Sequence, residues 1–294
     1  MSTAPESEGG LVSLRFGEYF GIELRLHWTF LALGAWMGLT VLSQTGSLLI
    51  AAHWLITLGA IFACVALHEY GHALAARRYG IGTMEITLLP IGGIARLERL
   101  PEDPKHELWI ALAGPATNFV IAAFLVLLHL LSGGSLSGLF SSGLMDGSLL
   151  STLLQVNLIM GLFNLLPALP MDGGRVLRAL LSLRMPALKA TGIATSLARI
   201  LAAGLVVYGL VRGGLMMAVI GGFVWFTARS EYQNAVLLER HKAERRKRGP
   251  GFGFHPETDP RGQARAPSGE WVQPEITKPE AKGFALREKN NKPY

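Results

Sequence analysis

Along most of this chain apolar residues run in blocks instead of alternating with polar ones. From Leu26 to Leu67 no residue carries a charge unless a histidine is protonated, a stretch too long for one membrane span and suited to two. The polar break Ser43-Gln44-Thr45-Gly46-Ser47 divides them. A first span then covers about His27–Leu42, and a second runs from Leu49 to Tyr79, apolar as far as Leu67 and closing on Arg77-Arg78. Leu108–Leu131 is a third. A fourth begins near Leu149 and runs into Asn164 to Arg175, where two prolines three apart and then a glycine pair cannot continue a regular helix. Residues 191–211 and 214–228 make a fifth and a sixth. These blocks predict an all-α polytopic membrane protein of about six transmembrane helices.

Two stretches break the pattern. Thr83–Pro90 and Ile94–Glu98 are short β-capable runs around Gly92-Gly93, which predicts a small membrane-associated β-hairpin, with an ordinary connector as the plain alternative. Irregular backbone at membrane depth persists only where it lines protein or water. The run from Asn164 to Arg175 is therefore expected to be a broken, re-entrant segment.

Composition sharpens this reading. The chain has 294 residues, 50% of them hydrophobic and 16% charged, well under the quarter typical of soluble domains. Residues 1–234 read as one membrane domain and 235–294 as a basic, mostly disordered cytosolic tail. Within that tail, Glu239 to Arg248 could extend as a surface helix. The net charge of +6 sits at membrane edges and in the tail, so anionic lipid is the expected partner there and nucleic acid is not. With six spans, Arg15, Arg25, Arg77, Arg78, Arg96, Arg99, Lys105, Arg175, Arg178, Arg184, Lys189 and the tail share one side, and of the loop cations only Arg212 falls on the other. That predicts a multi-pass protein of the cell membrane with both termini cytosolic. Met1–Gly10 is acidic and polar, so no secretory signal is expected. A single cysteine, Cys64, leaves no intrachain disulfide to form.

The chemistry is concentrated in the second span, which reads His68-Glu69-Tyr70-Gly71-His72. Spacing i, i+4 stacks His68 and His72 on one helical face, where two imidazoles can bind one zinc, and Glu69 beside them can act as a base. Cys64 shares that face; it reads as a small buried hydrophobe, with a ligand role as the alternative. Asp172 lies in the broken segment. It could pair with Arg175 or cap the following helix. Set beside two histidines that lack a third ligand, it reads more economically as that ligand, which leaves a fourth position open as catalysis requires. Gly114-Pro115-Ala116-Thr117-Asn118 places Gly and Pro where a bend and close helix contact are allowed, and Asn118 would face protein or a cavity. Arg199, inside the fifth span, snorkels or pairs.

His68 to His72 on a transmembrane helix, Gly114 to Asn118, and Asn164 to Gly174 ending in Met171-Asp172-Gly173-Gly174 together resemble the site-2 protease family of intramembrane zinc metalloproteases, over about residues 10–230. The resemblance implies one Zn2+ per chain held by His68, His72 and Asp172, Glu69 as catalytic base, and Asn164, with Asn118 as a further candidate, for substrate binding. It implies hydrolysis of a peptide bond in or near the transmembrane segment of single-span membrane-protein substrates. Neither the PDZ domains of some relatives nor the paired CBS domains of others are expected, so regulation is expected from a separate protein or from the tail. The competing readings are an intramembrane zinc transporter, which would be expected to show paired sites and repeats, and a non-catalytic membrane scaffold.

Overall fold

The computed structural model describes residues 13–90, 92–135, 137, 148–248, 264–265 and 271–272. Strand β1 (Ser13–Tyr19) turns at Phe20-Gly21 into antiparallel β2 (Ile22–His27), and β2 lies parallel to β3 (Thr83–Leu89). β3 turns back into antiparallel β4 (Gly92–Leu97), so the sheet order is β1-β2-β3-β4. The expected hairpin is therefore one half of a four-stranded sheet, and the expected all-α fold is corrected to a mostly helical one. The signal for β2 lies in the sequence: Ile22, Leu24 and Leu26 alternate with Glu23 and Arg25, the period of a half-buried strand.

Seven helices are described. α1 (Trp28–Thr45) starts where the His27 side chain accepts from the Thr29 amide, and α2 (Leu48–Arg78) starts at Ser47, whose hydroxyl accepts from the Ile50 amide. Arg77 and Arg78 close α2, where cations complement the helix dipole. α3 (Pro104–Leu131) opens with Asp103 capping the Lys105 amide and proline at its first position. α4 (Leu149–Asn164) ends at the broken segment, α5 (Asp172–Ser182) begins after it, and α6 (Ala187–Val211) follows. The sixth apolar run and the basic run beyond it form one continuous helix, α7 (Leu215–Arg248).

Three of these helices, α2, α3 and α6, are long and apolar enough to cross a membrane, while α4 is apolar but short at 16 residues. Large apolar side chains on them face outward, as with Ile56, Val120 and Val207. The protein is a membrane protein. In lipid the helices gain little from hiding apolar surface, so they associate through small residues that let backbones approach. Gly71 of α2 lies against Ala113 and Thr117 of α3, and Ala198 and Ala202 of α6 pack with Val224 and Ala228 of α7.

The sheet decides how α2 is oriented. Phe62, Ala66, Tyr70 and Ala73, spaced four, four and three apart, pack on Ile22, Leu24, Ile86 and Leu88. His68 and His72 are about 160° around the helix from Tyr70, and so face α3. Residues to Glu239 form one compact unit. In the second, Arg240–Tyr294, Ala264–Arg265 pairs with Trp271–Val272; the disorder expected over 235–294 falls largely outside the described residues.

Candidate metal centre

His68 and His72 are buried on α2, and Asp172 is the buried first residue of α5. Although 100 residues separate His72 from Asp172, the fold converges them: Nε2 of His72 lies 3.2 Å from Nε2 of His68 and 3.1 Å from Oδ2 of Asp172, and His68 Nε2 to Oδ2 is 3.2 Å. Ligand atoms about 2.0–2.1 Å from a tetrahedral zinc stand about 3.3 Å apart. The three donors form that near-equilateral triangle. Two imidazoles and a carboxylate are also a donor set that zinc accepts. Among the described residues this is the one group of three or more such side chains close enough to share an ion.

The surroundings hold the triangle in place. His72 Nδ1–H donates to the Ile110 carbonyl oxygen at 2.6 Å, which leaves Nε2 with its lone pair free. Behind His68, the carboxamide of fully buried Asn118 lies 3.0 Å from Nδ1 through its Nδ2, while its Oδ1 is buried without a partner. Oxygen and nitrogen of an amide have the same shape. With the two exchanged, Oδ1 accepts from His68 Nδ1–H and His68 also aims a lone pair at the centre, the form a metal ligand needs. Gly114 faces both rings: a Cβ there would collide with His72 Nε2 and His68 Nε2. The Gly114-Pro115-Ala116-Thr117-Asn118 run thus serves the site twice, leaving space at Gly114 and positioning His68 one helical turn later.

Asp172 is placed by the broken segment. The first turn of α5 presses so closely on the backbone of Leu165, Leu166 and Ala168 that a Cβ at Gly173 or Gly174 would meet those atoms. Oδ2 of Asp172 faces the imidazoles and Oδ1 faces Arg175 Nη1 at 3.7 Å, so the ligand and ion-pair placements read from the sequence coexist. α5 is tied to α3 by Arg178, whose Nε donates to Glu107 Oε1 at 2.8 Å and whose Nη2 reaches the same oxygen. Glu107 and Arg178 are site-supporting residues that spacing alone does not reveal.

Glu69, adjacent to His68, is half-buried and lies against Gly93 of β4, where an added Cβ would meet its side chain. Cys64 is buried and outside the donor group. Asn164, the half-buried last residue of α4, makes no hydrogen bond to the three donors among the described residues.

Residues 56–142 and 145–207 match peptidase family M50. The chain belongs to that family. The resemblance to site-2 proteases read from the motifs is borne out by a solved site-2 protease from Methanocaldococcus jannaschii, 36% identical, with a TM-score of 0.53 over 75% of this chain and 95% of that one. A zinc metalloprotease of Methanocaldococcus jannaschii is 36% identical over 220 residues, 74% of this chain and 60% of that protein. Rip3 of Mycobacterium tuberculosis is 34% identical over 234 residues, 74% of this chain and 58% of its own length. The chain thus spans about three fifths of these two relatives.

Proposed function

We infer that this M50 member is an intramembrane zinc metalloprotease that hydrolyses a peptide bond in or near the transmembrane segment of a membrane-protein substrate. The observation that carries the reading is the triangle of His68 Nε2, His72 Nε2 and Asp172 Oδ2 with Glu69 next to it on the same helix. The names of the relatives support zinc as the ion. Zinc bound there would act as a Lewis acid toward the scissile carbonyl and acidify a water.

The remaining work falls to the chain. Glu69 takes the proton of the attacking water on a carboxylate oxygen and delivers it to the leaving amine. Asn118 and the Ile110 carbonyl keep His68 and His72 in the tautomer that binds metal. Among the described residues β4 pairs only with β3 and ends the sheet, which leaves its outer edge for an extended strand beside Glu69. A substrate helix unwound onto that edge would expose the carbonyl its own ladder conceals. Asn164, at the end of α4, is the proposed contact for the substrate backbone. The distribution of Lys and Arg supports six spans with both termini cytosolic, a basic cytosolic tail over 235–294 that meets anionic lipid, and a cytosolic mouth for the site.

The test is Glu69→Gln in the purified full-length chain with a single-span substrate. Cleavage should fall to background while zinc content stays at one per chain. Cleavage retained by a preparation free of other proteases refutes the assignment.

A further inference from the structure

Midway along α6 is a cation with no counter-charge among the described residues. Arg199 is about 18 Å from each end of Ala187–Val211 at about 1.5 Å per residue, and its side chain is exposed. Among the described residues it makes neither a hydrogen bond nor an ion pair. Its guanidinium stacks on Trp225 of α7, 4.4 Å from the guanidinium carbon to the ring centroid. Stacking uses the face of the guanidinium and leaves its in-plane N–H donors unspent. Charged residues inside a membrane are rare and face a partner or water when they occur.

The surface around Arg199 identifies the partner. Arg199 lines a groove of about 870 Å³ between α6 and α7, together with Lys189, Arg229 and Tyr232, and among the described residues no acidic side chain lines it. Lys189 and Arg229 also lack an ion pair among the described residues. The groove continues into apolar surface: Ile193 and Ile200 line it and are 42% and 68% exposed. Its size suits a small amphiphile. The cations run inward from Lys189, near the start of α6, to Arg199 at mid-helix, the track of a headgroup drawn down from its own leaflet. A partner helix bearing one acid would need a cation at one depth only. We propose that this groove binds one anionic phospholipid, with its phosphate on Arg199 and Arg229 and its chains leading away from Lys189 past Ile200 and Ala203. The site is separate from the basic tail, and the proposal rests on α6 lying across the membrane, not on proteolysis.

The experiment is native mass spectrometry of the full-length protein in mild detergent, offered equal phosphatidylglycerol and phosphatidylcholine at roughly 0.5 M salt, where exposed tail cations are screened. The parent should retain one phosphatidylglycerol in preference to phosphatidylcholine. Arg199→Gln should weaken that retention about fivefold and Arg199→Gln with Arg229→Gln about 25-fold, at about fivefold per cation. Ser196→Glu serves as the variant that should keep its fold, because Ser196 lines the groove one turn before Arg199 and an acid there supplies the missing counter-charge from within. It should abolish phosphatidylglycerol retention and raise the melting temperature in lipid-free detergent. Equal retention of the two lipids by the parent overturns the proposal, as does unchanged phosphatidylglycerol retention in folded Ser196→Glu. Copurification of a transmembrane polypeptide in place of phosphatidylglycerol overturns it in favour of a protein partner. Glu69→Gln should bind lipid like the parent, so loss of the protease reading leaves this result standing.

Discussion

Replacing Asn118 by alanine separates the part played by the carboxamide behind His68 from that of the ligands themselves. Asn118 is fully buried and its carboxamide is 3.0 Å from His68 Nδ1. The substitution leaves Nδ1–H facing apolar surface, an orphaned donor that costs about 1–3 kcal/mol. It also removes the group that holds the ring in its metal-binding tautomer. Loss of such an outer partner lowers metal affinity about 10–100-fold, or about 1.4–2.7 kcal/mol. The assay is zinc affinity by chelator competition on the purified protein, with a melting curve in chelator to check folding. Asn118→Asp should hold or exceed the parent affinity, because a carboxylate accepts from Nδ1–H more strongly. Parent-like zinc affinity in folded Asn118→Ala would refute the argument and return Asn118 to the substrate role expected from the sequence.

Gly114→Ala inserts a methyl between the two imidazoles and should abolish zinc binding while secondary structure by circular dichroism is kept. Glu107→Gln breaks the tie between α3 and α5; breaking a buried pair costs about 3–5 kcal/mol, and since Arg178 keeps 21% of its side chain exposed, a loss of about 2–4 kcal/mol is expected in detergent unfolding. Arg178→Met added to Glu107→Gln should recover part of it, because no unpaired charge is then left buried. Removing zinc with a chelator should lower the melting temperature, and returning it at about 100 times its Kd should restore about 2.7 kcal/mol.

The sequence alone determined the parts of this protein that local chemistry can specify. The i, i+4 spacing of His68 and His72, the adjacent Glu69, the apolar blocks and the prolines ahead of Asp172 are each confined to one stretch of chain, and each was legible there. The β3–β4 pair was legible from its Pro/Gly turn. β1 and β2 carried the same alternating signal in weaker form, overshadowed by the long apolar block that follows. What only the tertiary structure decided depends on approach between distant segments. Asp172 had several local partners on paper, and only the packing of α5 against α3 turns Oδ2 to the imidazoles while Oδ1 keeps Arg175. Gly114 and Asn118 looked like helix-packing and cavity residues because nothing in their own span reveals that two rings from α2 lie against them. A spacing rule reaches one turn along a helix, whereas a metal site is closed by contacts a hundred residues apart.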